Sequence, residues 1–205
     1  MTTAEFLQML DNGGVLLSPK EVGASLGYSQ AWVCRAFVGR RIAGFDLRVG
    51  GGKRWLFFAP ESVLLYALSG GLIEDAAEAI FQILKNSKAE QKGVFGQMPQ
   101  DLKQYEYLFN GKNSQWLTTR EVARILGVSE PTIVKQVNLG NLAACRNGGC
   151  GESVRAVYRI ARADFVKFLS ERSNLSESER LGRIRAAVGA LSAQEVAKLR
   201  ERLGV

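Results

Sequence analysis

One stretch of this chain occurs twice. Leu17, Glu21, Val22, Leu26, Gly27 and Ser29 reappear as Leu117, Glu121, Val122, Leu126, Gly127 and Ser129, one hundred residues later and without a gap. The correspondence runs on through Val33 and Ile133 to Ile42 and Leu142. It resumes where Phe58-Ala59-Pro60-Glu61-Ser62-Val63 parallels Ile160-Ala161-Arg162-Ala163-Asp164-Phe165, now offset by 102. A duplicated segment constrains the fold more than composition does, because each copy must close the same small unit.

The spacing within each copy predicts the same local structure. Ser18 or Thr118 can cap a helix, with Glu21 or Glu121 three residues on to complete a capping box. Val22 and Leu26, like Val122 and Leu126, share one helical face. Gly27 and Gly127 permit a tight turn. Ser29 and Ser129 then cap a second helix, with Pro131 in its first turn and Val33 with Phe37, or Ile133 with Val137, facing inward. Two short helices joined by such a turn form a helix-turn-helix. Glycine-rich tips follow, Gly50-Gly51-Gly52-Lys53 between Phe45–Val49 and Arg54–Phe58, and Asn147–Gly151 between Ala143–Arg146 and Val154–Ile160. Each reads as a hairpin. A further helix starts at Glu61 and at Asp164, which completes a winged order.

Around these units, Thr3–Leu10 and Gln100–Phe109 read as leading helices, and Ile73–Leu84 has helical spacing. Asn86–Pro99 is polar, with Gly93, Gly96 and Pro99, and reads as a linker. Ser176 with Glu179 and Ser192 with Glu195 start two tail helices, whose Leu191, Val196, Leu199 and Leu203 suggest one apolar stripe and an oligomerisation element. The expected fold is mainly α with small β-hairpin wings (α+β): two tandem winged helix-turn-helix domains at 1–70 and 99–173, a helical, flexible connector at 71–98, and a helical tail at 174–205.

Composition limits the chemistry. The 205 residues include no His and three Cys, and carry a net charge of +7. Without His there is no His-dependent triad and no imidazole switch, and three Cys cannot complete a four-thiolate zinc site. Gly50-Gly51-Gly52-Lys53 lacks the spacing of a phosphate loop. The expectation is therefore a protein that is not an enzyme and needs no cofactor. Apolar runs such as Trp55–Pro60 are far too short to span a bilayer, and Met1–Leu10 has no basic cluster of a secretory signal, so a cytoplasmic protein with no membrane contact is expected.

The second copy resembles the excisionase-like branch of the MerR superfamily of winged helix-turn-helix proteins. The residues that carry the resemblance are Leu117-Thr118, Glu121-Val122-Ala123, Leu126-Gly127-Val128-Ser129, Thr132-Ile133, Gly140-Asn141-Leu142, Tyr158-Arg159-Ile160, Asp164-Phe165 and Phe168-Leu169, over about 55 residues. The first copy departs from the pattern, with Arg40-Arg41-Ile42 in place of the Gly-led turn and Ser62 in place of Asp. The resemblance implies a bacterial, phage or mobile-element DNA-binding protein.

Charge follows the same division. Residues 35–54 carry +5 and 120–162 carry +4, whereas 70–115 carry −1. A helix-turn-helix sets its second helix in the major groove, where Gln suits adenine, Arg or Lys suits guanine and Glu suits cytosine. The candidate DNA-binding residues are therefore Ser29, Gln30, Trp32, Arg35, Arg40 and Arg41 in the first copy and Ser129, Glu130, Thr132, Lys135 and Gln136 in the second. Lys53, Arg54, Arg146 and Arg155 join them at the wings. Trp32 is read more readily as packing than as a DNA contact, and Glu130 equally as simple first-turn chemistry. The expected function is sequence-specific binding of double-stranded DNA by a transcriptional regulator whose two units act as a pseudo-dimer on unlike half-sites. The alternatives are an excisionase-like architectural or packaging factor and a protein-interaction adaptor.

Overall fold

The computed structural model describes residues 1–10, 16–48, 54–85, 87–96, 105–109, 114–147 and 157–205. The hairpin tips, with Lys53, Arg155 and Cys150, and most of the expected helix from Gln100 lie outside these; of that helix the structure describes a single 3-10 turn, Glu106–Phe109.

The first unit is built from α1 (Thr3–Leu10), α2 (Pro19–Leu26), α3 (Gln30–Val38), β1 (Phe45–Asp46), β2 (Leu56–Phe57) and α4 (Pro60–Ser69). The expected capping box is present: Glu21 N–H donates to Ser18 Oγ, and Ser18 N–H donates to Glu21 Oε2. The connector then forms α5 (Ala76–Leu84) and α6 (Lys88–Phe95). The other unit comprises β3 (Trp116–Thr118), α7 (Thr119–Leu126), α8 (Glu130–Asn138), β4 (Cys145–Asn147), β5 (Val157–Ala161) and α9 (Arg162–Ser170). Its sheet has the antiparallel order β3-β5-β4, with Leu117 opposite Ile160 and Arg146 opposite Tyr158. In the first unit Leu17 and Phe58 make the corresponding bridge, exchanging hydrogen bonds of 2.8 and 2.9 Å. The tail is α10 (Glu177–Gly189) and α11 (Ala193–Leu203), both opened by capping boxes.

Two expectations are corrected here. Asn86–Pro99 is not an open linker: within it α6 packs against α10 and α5, and Gly93 lies so close to Leu181 that a Cβ there would stand 2.7 Å from Leu181 Cδ2. Nor is the tail stripe an open surface for self-association. Leu199 is 2% exposed, and Leu191, Val196 and Leu203 pack on the same cluster as Ile80, Ile83, Leu84, Ile184 and Val188. The helices of the connector bury one face but leave the other bare, and α10 and α11 supply the cover. The polar face of α11 stays in water, which is the ordinary condition of an amphipathic helix.

A second apolar cluster joins the two units. Phe45, Leu47, Phe57 and Ala59 of the first wing pack with Tyr105, Phe109, Leu117, Ile125, Phe165 and Phe168 of the other unit. Asn174 fastens this contact. Its side-chain amide donates to Phe37 O at 2.7 Å and Ile42 O at 2.8 Å, its Oδ1 accepts from Gly44 N–H at 2.9 Å, and its backbone N–H donates to Gly44 O. Asp46 N–H donates to Arg172 O, and Phe45 bridges Ser173. The units are thus docked, not strung on a flexible connector. Gly44 sits where no side chain fits: a Cβ would lie 2.7 Å from Phe57 O and 2.8 Å from the Phe58 ring. Gly44→Ala is expected to destabilise the protein by about 1–3 kcal/mol, measured as a lower urea midpoint with an unchanged slope.

A buried charge cluster lies between α4, α6 and α10. Arg180, 3% exposed, is paired with Glu90, itself 3% exposed, and approaches Glu177 at 3.5 Å. Burial pushes the Glu177 carboxyl up to about 7 and lowers Arg180 to about 10, and burial also raises Glu61 despite the opposing Arg180. One guanidinium therefore meets two carboxylates at close range, with Glu61 within its field.

Candidate nucleic-acid interface

In each unit a glycine turn joins two short helices. Gly27 and Gly127 end α2 and α7 with φ of 72° and 64°, the left-handed region where a side chain is strained. Val33 and Ile133 then point into the cores, 0% and 1% exposed. With that face fixed inward, the helical period turns Gln30, Ala31, Arg35 and Val38 of α3 and Glu130, Pro131, Lys135 and Asn138 of α8 to solvent.

The structure sorts the candidate residues into three groups. Arg35, Lys135, Gln30, Arg54 and Arg146 are exposed, and none has an ion pair or side-chain hydrogen bond among the described residues. A second group is exposed or half-buried but engaged. Ser29 Oγ accepts from Trp32 N–H at 3.2 Å and caps α3, whereas Ser129 Oγ makes no such cap and instead pairs with Thr132 Oγ1 at 2.9 Å. Glu130 Oε1 accepts from Thr119 Oγ1 at 2.5 Å, tying α8 to α7. Trp32 is half-buried, stacked on Tyr28 with ring centroids 4.0 Å apart and tilted against Tyr66 at 5.8 Å. Arg40 grips both carboxylate oxygens of Glu179 at 2.7 Å. Arg41 is exposed, and its carbonyl accepts from Arg183.

Gln136 forms the third group and is a correction. It is 6% exposed, its Oε1 accepts from Asn141 Nδ2 at 3.3 Å, and its carbonyl accepts from Asn141 and Leu142 N–H. It holds the turn after α8 and cannot reach a base edge. One residue to either side along the helix changes the facing by about 100°, so its neighbour Lys135 is outside while Gln136 is inside.

Sequence reasoning missed the role of Asn138. Its Oδ1 accepts from the Tyr158 hydroxyl at 2.8 Å, fixing wing strand β5 to the end of α8. The side-chain types gave no signal for this, because the two residues are twenty apart. Arg40 carries another surprise, a φ of 57° where Gly140 has 72°. The left-handed conformation costs a non-glycine residue about 1–2 kcal/mol. Arg183 helps hold it, donating to the Arg40 and Arg41 carbonyls at 2.5 and 2.7 Å, together with the Glu179 ion pair.

Comparison with known families agrees with this geometry in the second unit. Residues 116–173 match the family model of a helix-turn-helix domain, from β3 to just beyond α9. The match begins at the first strand of the sheet and ends at Ser173, beside the Asn174 fastening. No curated protein and no solved structure matches the chain. Among the described residues no helix is long and apolar enough to cross a membrane.

Proposed function

We propose that this chain is a sequence-specific double-stranded DNA-binding protein, a transcriptional regulator that uses α3 and α8 as two recognition helices of one pseudo-dimer. The observation that carries the reading is the matched pair Arg35 and Lys135. They lie one hundred residues apart, at the same step of their helices, exposed and unpaired among the described residues, above the buried Val33 and Ile133. The helix-turn-helix match at 116–173 supports it for the second unit. A basic side chain at this step of a recognition helix suits guanine in the major groove. Arg54 and Arg146, at the roots of the wings, suit flanking phosphates. Because the two units are docked, the spacing between their half-sites is set by the protein; because Gln30 and Arg35 differ from Glu130 and Lys135, the half-sites differ in sequence.

Selection from random oligonucleotides, followed by titration of the chosen site, tests this. Arg35→Ala and Lys135→Ala are each expected to weaken specific binding by about 1–3 kcal/mol and to relax preference at one position. Affinity should fall steeply as salt rises, since phosphate contacts release counterions. Binding that ignores both substitutions would remove α3 and α8 from the groove.

A second reading, a protein-interaction adaptor, is favoured for the first unit by the aromatic pair Tyr28–Trp32 and the 55%-exposed Val38 on or beside α3. It expects Lys135→Ala to weaken DNA binding while Arg35→Ala leaves it unchanged.

A further inference from the structure

A cavity of about 900 Å³ opens between the C-terminal end of α3, α4 and α10. Much of its wall is hydrocarbon, with Leu65, Leu68 and Ile73 on one side and the alanines of α10 on the other. Its charged lining is of one sign. Arg40, Arg41, Arg180 and Arg183 border it, and no carboxylate is among the lining residues. Concave, mainly apolar spaces of this size with a few convergent polar groups are the usual form of a small-molecule site.

Three of the four arginines already have work. Arg40 holds Glu179, Arg183 donates to two carbonyls of the α3–β1 turn, and Arg180 belongs to the buried carboxylate cluster. Arg41 differs. It is exposed, and its guanidinium has no hydrogen bond or ion pair among the described residues. Arg41 and Tyr66 both line the cavity, and Arg41 opposes the rise that burial and neighbouring Tyr28 give the Tyr66 phenol. A cation at the mouth of an apolar cleft matches a molecule with an anionic head and a hydrocarbon body.

We propose that the cavity binds a small amphiphilic carboxylate, with its head on Arg41 and its hydrocarbon chain along Leu65, Leu68 and Ile73. The guanidinium offers the carboxylate a two-pronged set of donors. Each methylene buried on the apolar wall strengthens binding by roughly fourfold, so affinity grows with chain length until the cleft is filled.

Decanoate is the probe, titrated below its aggregation threshold into the full chain. Calorimetry and tryptophan fluorescence are the readouts, since Trp32 lies against Tyr66. Decanol and decylamine are the controls. The expected result is saturable binding of one decanoate, at least about tenfold tighter than decanol, with decylamine weaker still. Octanoate should bind about fifteenfold more weakly than decanoate. Arg41→Gln should cost decanoate about tenfold and leave decanol unchanged. Arg35→Gln, outside the cavity, should change neither. Non-saturable uptake, equal binding of decanol and decanoate, or full affinity in Arg41→Gln would each overturn the proposal. The assay contains no DNA, so its failure and the failure of the DNA-binding reading are separate results.

Discussion

Replacing Arg180 with Met is expected to destabilise the protein by about 3–5 kcal/mol at neutral pH, and by much less in acid. The side chain is almost fully enclosed and is the cation nearest Glu90 and Glu177, with Glu61 also within its field. Removing it leaves carboxylates in an apolar setting without compensation. Methionine fills a similar volume, so the loss is electrostatic and not a cavity. The pH dependence has a definite sign. Burial raises the Glu177 carboxyl from 4.5 to about 7 in the folded protein. A folded state that binds the proton more tightly than the unfolded chain is favoured in acid. The native chain therefore gains stability from this group below about pH 4.5 and loses it as the pH climbs to about 7. Without Arg180 the carboxyls should rise further, steepening the loss above neutrality. Urea denaturation at about pH 5 and about pH 8 measures both slopes. Adding Glu90→Gln and Glu177→Gln to Arg180→Met should restore much of the stability at the higher pH. An equal penalty at both pH values would show that the guanidinium acts by packing alone.

Asn174→Ala is the second large effect, about 2–4 kcal/mol of lost stability. The substitution strips the Ile42 carbonyl and the Gly44 N–H of their side-chain partner, and leaves the Phe37 carbonyl only the Arg40 N–H, in a half-buried seam between two units. Each orphaned polar group keeps its desolvation cost and loses its bond. Asn174→Asp is the informative control. It keeps an oxygen for the Gly44 N–H but turns a carboxylate oxygen toward two carbonyls, so it should be no better than Ala. Thermal denaturation followed by calorimetry checks both; tolerance of Asp would show that the amide donors are dispensable. A chain weakened here should also bind DNA less tightly if the spacing of the two units matters, because the docking would no longer be held before binding.

Much of the local architecture was legible in the sequence. The capping pairs Ser18–Glu21, Thr118–Glu121, Ser176–Glu179 and Ser192–Glu195 mark helix starts that the structure contains, and Gly27 and Gly127 end the helices before the turns. The reason is range. A cap, a turn glycine and a helical face depend on residues three or four apart, and those are adjacent in the chain. The exposed positions Arg35 and Lys135 follow from the same short-range logic once Val33 and Ile133 are taken as inward.

What failed depended on distant partners. Asn86–Pro99 looked like a linker because its polar residues and glycines are poor helix signals, yet Glu90 and Gln91 are buried, with Glu90 paired to Arg180 ninety residues on. Gln136 looked like a reader of bases because it lies on the second helix of its unit and Gln suits adenine, but Asn141 and the turn after α8 draw it inside.

The amino-acid order by itself determined the two helices and the turn between them in each half, with the expected caps at Ser18, Ser29 and Thr118 but not at Ser129, because these arise from residues within a single helical turn. Tertiary structure alone decided that the apolar stripe of α11 closes the chain's own core and that Asn174 locks the turn between α3 and β1 against the other unit. Apolar surface is indifferent to which hydrocarbon covers it, so a stripe of leucines states a need for burial without naming the partner. The choice of partner is made where the chain brings α5, α6, α10 and α11 together.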